Sequence, residues 1–226
     1  TFWKAADNIT YSRWNKILHY SSPKDKLLVD IGSAQGRSCQ YFHDHEFDIV
    51  GLDISKECLK LAVKRYPFGK SKARYHFIAT DCSLFPFQEE VVDYVLIYGV
   101  LHHLPNPGES SAEIVRILKK NGLYFGSENH KSILRFIFDF LMLIRPQWYE
   151  KAGSEPLIGR GDYDNWINDQ KMKKDYTYSV YVPPHVINFL GHKIGRYFFN
   201  FTEMIFNKLS FFNKFAGLIT IVAKKP

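Results

Sequence analysis

The stretch from Leu27 to Gly36 constrains the fold of this chain more than any other feature. It runs LLVDIGSAQG, an apolar run that ends in an acid and an isoleucine and is followed by two glycines. A second apolar run ends at Asp53, seventeen residues after Gly36. This order predicts a buried strand, a tight glycine turn, a helix, and a second strand ending in a carboxylate, which brings backbone close to a nucleoside ligand.

The rest of the first 130 residues alternates between apolar runs and amphipathic segments. Strands are predicted at Leu27–Ile31, Asp48–Leu52, Tyr75–Ala79, Asp93–Tyr98 and Leu123–Ser127. Helices are predicted within residues 1–26, at Arg37–His45, from a Ser55 cap to Arg65, and at Ser110–Lys119, where Asn121 and Gly122 form a left-handed C-cap. This alternation predicts an α/β fold with a doubly wound, mostly parallel sheet that binds its ligand at the carboxyl ends of the strands.

The length of 226 residues favours a single domain with a core of its own. Within it we distinguish an N-terminal helical lid (1–26), a cofactor-binding core (27–130), a helical, aromatic-rich cap (131–215) and a final strand (216–226). In the cap we expect a helix at Lys131–Ile144 and an irregular segment at Arg145–Tyr181. The pattern does not locate a sixth strand, because nothing between Gly191 and Asn207 is typical of one.

Charge and cysteine content exclude several function classes. The net charge is +7, but no long basic run supports a nucleic-acid partner. Three cysteines without metal-type spacing, and no acidic cluster beyond the fourth strand, predict no metal site and a reducing, cytoplasmic location. No signal peptide is recognised at Thr1, and the apolar stretch Ile133–Ile144 is shorter than the roughly 20 residues that a membrane span needs.

Several motifs together resemble a known enzyme family. They are Asp30-x-Gly32-x-x-x-Gly36, Asp53, Asp81 followed by Phe85-Pro86-Phe87, the run YGVLHHL at 98–104, and EIVRILKKNG at 113–122. This set resembles the class I, seven-β-strand, Rossmann-like S-adenosylmethionine-dependent methyltransferases, especially the branch that acts on small molecules and lipids. The resemblance covers residues 27–130 and the last strand. It implies a seven-stranded sheet, S-adenosylmethionine as cofactor and S-adenosylhomocysteine as product.

The resemblance also implies which residues hold the cofactor. It places Asp30 and Gly32 at the methionine moiety, Asp53 at the ribose, and Asp81 with Cys82 at the adenine. The full set of predicted cofactor residues is Asp30, Gly32, Ser33, Ala34, Gly36, Asp53, Ile54, Asp81, Cys82 and Tyr98. Ala34 departs from the family, which has a glycine there. An alanine fits if its backbone torsions stay in an allowed region.

Methyl transfer from a sulfonium needs alignment of the reacting atoms above all, and a base only for some acceptors. His102 follows the fourth strand and is our first choice for that base, with His103 after it. The alternative is that the two histidines only begin and cap a loop. Glu128 and His130, at the end of the fifth strand, are expected to flank the pocket and bind the acceptor.

The cap is expected to decide which acceptor binds, because similar cores serve many acceptors. Its aromatic residues favour a ring-shaped, glycan or lipid acceptor; they are Trp148, Tyr149, Trp166, Tyr176, Tyr178 and Tyr181. The segment 197–215 interleaves phenylalanines with lysines. Two interpretations stay open: peripheral contact with a membrane through this segment, or packing of these rings in the core or in a homodimer.

Two rival functions are distinguished from small-molecule methylation. One is an RNA or protein methyltransferase, which the positive charge permits although no basic stripe supports it. The other is a scaffold that binds S-adenosylmethionine without catalysis, which Ala34 favours slightly. Tyr11 and Arg13, on the first helix, are expected either to close over the cofactor carboxylate or to pack against the sheet.

Overall fold

The computed structural model describes residues 2–20, 25–67, 69–70, 72–81, 85–145, 156–167 and 171–226. The helices are α1 Phe2–Tyr20, α2 Cys39–Phe42, α3 Lys56–Arg65, α4 Pro107–Ile117, α5 Arg135–Ile144, α6 Arg160–Ile167, α7 Pro184–Phe189 and α8 His192–Phe206. The strands are β1 Leu27–Ile31, β2 Asp48–Asp53, β3 Arg74–Ala79, β4 Val92–Tyr98, β5 Leu118–Asn129, β6 Lys173–Ser179 and β7 Leu218–Lys224. Short 3₁₀ helices lie at Leu101–His103 and Ser210–Phe215.

The strands form one seven-stranded sheet in the order β3-β2-β1-β4-β5-β7-β6. The first five strands of the chain run parallel, and β7 runs antiparallel between β5 and β6. The predicted α/β fold with a mostly parallel, doubly wound sheet is confirmed. The order reverses at β1 and β4, so their carboxyl ends form the crevice where ligands of such sheets bind.

Alternating side chains of the central strands bury both faces of the sheet. Val29 and Ile31 of β1 belong to one apolar cluster with Ile114 and Ile117 of α4. Leu28 of β1 belongs to the cluster on the other face, where Trp14 and Leu18 of α1 and Phe42 of α2 are fully buried. Burial on both faces explains why β1 and β4 are almost wholly apolar.

The five predicted strands of the first 130 residues are all present, and Ser55 caps α3 by accepting a hydrogen bond from the Cys58 N–H at 3.2 Å. Two helices differ from prediction. Residues 34–38 form turns, so only Cys39–Phe42 of the predicted helix Arg37–His45 is helical. The left-handed residues of the preceding glycine loop (φ +46° and +75°) interrupt the helical hydrogen-bond pattern there.

The predicted C-cap of α4 at Asn121-Gly122 is wrong. The helix ends at Ile117, because Leu118 is already extended and pairs with Val92 of β4. Asn121 is left-handed as predicted, with φ +63°, but it lies inside β5 and its N–H bonds the Lys225 carbonyl at 3.0 Å.

The segment Arg145–Tyr181 is not irregular throughout, because it contains α6 and the sixth strand, β6. The region searched for that strand, Gly191 to Asn207, is the helix α8 instead. β6 is the edge strand, and most of its side chains are partly or fully exposed. Its sequence KKDYTYS therefore lacks the apolar run that marks a buried strand. None of the described helices is long and apolar enough to cross a bilayer.

Candidate functional site

The loop between β1 and α2 turns on three left-handed residues. Gly32, Ala34 and Gly36 have φ values of +70°, +46° and +75°. A Cβ atom at Gly32 would lie 2.2 Å from Val100, and one at Gly36 would lie 2.9 Å from Tyr66. Both glycines are therefore required by close packing within the protein as well as by their torsions. Ala34, at the position where the family has glycine, adopts a left-handed φ that residues with a Cβ atom rarely adopt.

Asp53, at the end of β2, holds this loop. One carboxylate oxygen accepts the Ala34 N–H at 2.8 Å, and the other accepts the Ser55 N–H at 2.8 Å. The residue is only half-buried. Because each carboxylate oxygen has two lone-pair directions, both oxygens retain one for a further donor such as a hydroxyl.

Asp30 lies beneath the loop and is buried. Its carboxyl accepts a hydrogen bond from the Ser38 hydroxyl. Burial raises the pKa of Asp30 to about 7, and the nearby charge of Asp53 raises it further, while the Ser38 hydrogen bond opposes the shift. Asp30 therefore orders the loop from below.

The other predicted cofactor residues are spread around this loop. Ser33 contributes backbone, since its N–H bonds the Leu52 carbonyl at 2.9 Å and its buried hydroxyl points at Gly51. Ile54 is 73% exposed and offers an apolar surface beside Asp53. Asp81 is exposed just after β3. Cys82 lies outside the described residues, as do Trp148 and Tyr149 of the cap.

Tyr98, at the end of β4, is covered by a feature that the sequence did not predict. The Arg37 guanidinium lies over the Tyr98 ring at 4.7 Å and forms a two-pronged ion pair with Asp7 of α1, whose Nε–Oδ2 distance is 2.8 Å. Burial raises the pKa of Tyr98. This pair ties the N-terminal helix to the glycine loop. Arg37 directly follows Gly36, but no spacing in the sequence connects it to Asp7.

Tyr11 and Arg13 of α1 were expected either to close over the cofactor carboxylate or to pack against the sheet, and their surroundings bear on this choice. Tyr11 is buried and stacks on Tyr41 with ring centroids 4.3 Å apart, so it packs against the sheet side. Burial lowers the pKa of Arg13, and the charges of Glu203 and Asp175 raise it. Arg13 therefore faces α8 and β6. Both observations favour packing over closure on a cofactor.

The loop after β4 is held by Glu128, which has no exposed surface. One Glu128 oxygen accepts the N–H groups of Val100 and Leu101 at 2.9 and 2.8 Å. The other oxygen lies 2.6 Å from Nδ1 of His102, whose side chain is 4% exposed. Since both oxygens are engaged inside the protein, Glu128 positions the loop and the imidazole.

The remaining predicted acceptor residues lie further apart. His103 is exposed, with its ring 4.0 Å from that of His102. His130 is buried, its Nδ1 lies 2.9 Å from the Ala216 carbonyl oxygen, and burial lowers its pKa. Its ring meets the edge of Tyr178 at 5.1 Å. Of the cap aromatics, Trp166, Tyr176 and Tyr178 pack against the core, and Tyr181 is buried.

The glycine loop and the loop after β4 contact each other at Val100. Val100, whose side chain fills the space above Gly32, also donates its N–H to Glu128. The structure thus brings Asp30, Gly32, Asp53, His102 and Glu128 to one edge of the sheet. Among the described residues no group of three or more histidine, cysteine, aspartate or glutamate side chains could hold a metal ion.

Residues 29–126 match the family model described as a methyltransferase domain. Residues 29–126, a little under half of the chain, are therefore similar to a methyltransferase domain. The matched part includes the glycine loop, Asp53 and His102, and it ends two residues before Glu128.

The domain also has curated relatives. The demethylmenaquinone methyltransferase of Chlamydia caviae is 31% identical over 157 residues, which are 65% of this chain and 61% of the relative. The ubiquinone biosynthesis O-methyltransferase of Hydrogenovibrio crunogenus is 26% identical over 125 residues, which are 54% of this chain and 52% of the relative. The chain thus spans about half to three fifths of the length of these two relatives.

Solved structures share the fold of the methyltransferase domain. Geranyl diphosphate C-methyltransferase from Streptomyces coelicolor, solved with Mg²⁺, geranyl diphosphate and S-adenosyl-L-homocysteine, matches with a TM-score of 0.63 at 13% identity, over 95% of this chain and 77% of the other. A SAM-dependent methyltransferase from Aquifex aeolicus matches with a TM-score of 0.55 at 12% identity, over 92% and 87% of the two chains. At such identities the likeness establishes the class I methyltransferase fold.

Proposed function

We propose that this chain binds S-adenosylmethionine at the glycine loop and transfers its methyl group to a small-molecule, glycan or lipid-type acceptor. The observation that supports this most is the Asp53 carboxylate. It is half-buried beside the left-handed loop and retains lone pairs on both oxygens, within a matched methyltransferase domain.

The described residues fit that cofactor. We propose that Asp53 accepts from ribose hydroxyls, because charge-assisted bonds to a carboxylate are strong and each of its oxygens retains a lone-pair direction beyond its one backbone donor. The exposed Ile54 side chain beside it suits the flat face of an adenine, and the exposed Asp81 suits an exocyclic amine. Gly32 is only partly exposed, and its φ of +70° forms the turn that we propose lies beside the methionine portion. The bound cofactor supplies a methyl group on a positively charged sulfur.

His102 is the residue that we propose as base on the acceptor side. Glu128 engages Nδ1, so proton transfer falls to the other ring nitrogen, Nε2. Glu128 fixes the ring orientation and stabilises the imidazolium that forms when the ring takes a proton from an acceptor hydroxyl, ammonium or carbon acid. We also propose that His103 and His130 contact the acceptor, and the His102→Asn variant distinguishes a base from a structural histidine.

The acceptor that we favour is an aromatic, quinone-type small molecule. The curated relatives are named for demethylmenaquinone and for ubiquinone biosynthesis. This choice also agrees with the predicted branch of the family. A cytoplasmic location stays a prediction, supported by the buried free thiol of Cys39. Neither a homodimer nor a membrane contact follows from this proposal, because both concern the surface and not the site.

The first experiment is calorimetric titration of the chain with S-adenosylmethionine and, separately, S-adenosylhomocysteine. We expect micromolar binding of both, followed by methylation of quinone, phenolic, glycan or lipid acceptors in a radiolabel assay. Binding without turnover on any acceptor would favour the scaffold. Turnover only on RNA or protein, with affinity that falls steeply with salt, would favour the macromolecular methyltransferase. No binding of either compound would refute the proposal.

A further inference from the structure

Helix α5 exposes apolar side chains to an unusual extent. Phe136, Phe140, Leu143 and Ile144 recur at helical spacing and are between 60% and 80% exposed. The two charged residues within the helix, Arg135 and Asp139, pair with each other at 2.5 Å. Single exposed apolar residues are normal on a protein surface. A contiguous exposed apolar stripe such as this one instead marks a site that contacts another protein or a membrane.

Helix α8 carries a second stripe on the side opposite its buried residues. Phe199 and Glu203 face inward. The outward side chains recur at positions three and four apart and are all more than a third exposed: Ile194, Tyr197, Phe198, Phe201 and Met204. Phe211, in the 3₁₀ helix that follows, is also exposed and lies under Lys214.

Contacts between these elements join the two stripes. The Ile133 N–H just before α5 bonds the Lys214 carbonyl at 2.9 Å, and His185 of α7 lies 2.9 Å from the Arg145 carbonyl at the end of α5. A groove of about 350 Å³ between α5 and α7 includes Ile144 and Phe189 in its lining. We call the exposed apolar residues of α5, α7, α8 and the 3₁₀ helix Ser210–Phe215 the apolar face.

The charge around the apolar face is strongly positive. Segments 131–145 and 184–217 contain seven lysines and arginines against two acids, a net +5, whereas the other 177 residues carry 23 against 21. Asp139 is paired with Arg135, and Glu203 is buried, accepting the N–H of Val180 at 2.7 Å. Most of the net charge of the chain therefore surrounds this face.

This positive charge distinguishes between two possible partners of the apolar face, a second copy of the chain and a lipid surface. A second copy of the chain would bring +5 against +5, and such like-charge juxtaposition opposes association. An anionic lipid surface complements the charge, and its headgroup region accepts apolar helix faces with lysine and arginine beside them. We propose that the apolar face docks on an anionic lipid surface. The sequence predicted membrane contact only through segment 197–215. The proposed docking surface adds α5 and α7 to that segment.

The location of α5 gives this docking a direction. Helix α5 begins six residues after β5 ends, and it therefore starts near the carboxyl ends of β4 and β5, where His102 and Glu128 lie. A lipid surface on the apolar face would therefore lie near the acceptor side of the site proposed above. The docking itself requires neither cofactor nor turnover.

The test is co-sedimentation of the full chain with phosphatidylcholine vesicles, with and without phosphatidylglycerol, in the absence of cofactor and acceptor. We expect binding that needs the anionic lipid and weakens with salt. Leu143→Asp should weaken partitioning at least about tenfold, through one lost leucine contact and one added negative charge. The matched control is Val63→Asp on α3. Val63 is exposed, and α3 packs beside β2 and β3, on the side of the sheet away from β6 and β7. This variant should bind vesicles as the parent does.

Thermal unfolding of both variants should match the parent, because both side chains are largely exposed. No binding to anionic vesicles at low salt, or equal binding by Leu143→Asp, would overturn the proposal. So would a concentration-dependent dimer that Leu143→Asp dissociates, which would assign the face to a second copy. Because the vesicle experiment uses no cofactor, its outcome is independent of whether the methyltransferase proposal holds.

Discussion

Asp53 and Glu128 perform the same local task at opposite sides of the site. Each ends or nearly ends a strand, and each accepts two backbone N–H groups from neighbouring loops. They differ in exposure. Asp53 is half-buried and divides the two donors between its oxygens, whereas Glu128 is fully buried and adds His102 as a third partner.

This difference separates binding from positioning. A carboxylate reachable by solvent can exchange water for ligand hydroxyls, so Asp53 suits a cofactor. A buried carboxylate whose oxygens are satisfied inside the protein cannot contact a ligand, so Glu128 acts through the loop and the imidazole that it holds. In the function proposed above, Asp53 would therefore contact the ligand, whereas Glu128 would only position His102.

Replacing Glu128 by alanine should have the largest effect. The change removes the Glu128 acceptor from the N–H groups of Val100 and Leu101 and from His102, and we expect a loss of about 3–5 kcal/mol in the free energy of unfolding. Urea unfolding measures it. Glu89→Ala, an exposed carboxylate before β4, is the control and should change stability by less than about 0.5 kcal/mol.

His102→Asn tests whether His102 acts as the base or only supports the fold. It removes the imidazole but leaves the two loop amides bonded to Glu128. Turnover should fall about 10²–10⁴-fold if His102 is the base, with cofactor affinity unchanged. Full turnover by this variant would show that the histidine is structural.

Asp30→Asn tests the third carboxyl group of this edge through pH. Burial raises the pKa of Asp30 to about 7, so between about pH 4 and 7 the folded chain retains a proton that the unfolded chain has lost. Stability from this group is complete at low pH and is lost as pH rises through 7. The unfolding free energy of Asp30→Asn should therefore gain on the parent by up to about 3 kcal/mol between pH 4.5 and 8. A constant difference across that range would contradict the buried, protonated carboxyl.

Asp53→Ala should weaken S-adenosylmethionine binding by about 1–3 kcal/mol, as expected for lost charge-assisted hydrogen bonds. Calorimetry measures the change. Asp48→Ala is matched to it, because Asp48 begins the same strand and pairs with Arg74 at 2.6 Å, away from the loop. Unchanged affinity in Asp53→Ala, or an equal loss in Asp48→Ala, would rule out the ribose assignment.

Ala34→Gly should have the smallest effect. Glycine relieves the left-handed strain at φ +46°, but it also increases the conformational entropy of the unfolded chain. We expect a gain of at most about 1 kcal/mol in unfolding free energy, with cofactor affinity retained. A clear loss of stability would show that the Ala34 methyl group makes a packing contact that outweighs the strain.

Local patterns predicted the first half of the fold and most of the loop geometry. Strands β1, β2 and β4 are largely apolar because they are buried, and Ser55 caps α3 through a bond to its own neighbour, Cys58. Both signals lie within a few residues of the structure that they specify. The seven-stranded topology came from the resemblance, whereas the pattern of apolar runs alone already singled out Asp53.

Features that depend on distant partners were not predictable. Glu128 was expected to bind the acceptor, but its partners lie 26 to 28 residues earlier, and no spacing signals that contact. The Arg37–Asp7 pair spans 30 residues. β6 escaped because an edge strand needs no apolar run. Helix α5 was expected, but its apolar sequence alone does not say that its outward face is exposed.

The position of β7 has a consequence for how the chain is assembled. β7 lies between β5 and β6, with Leu123 opposite Lys224 and Lys173 also opposite Lys224. During synthesis β5 and β6 are made before β7, yet neither can complete its pairing until β7 emerges. Removing β7 would release β6 from the sheet and leave β5 as a long, apolar, unpaired edge, which is a template for aggregation. β7 thus pairs with two strands that are made before it.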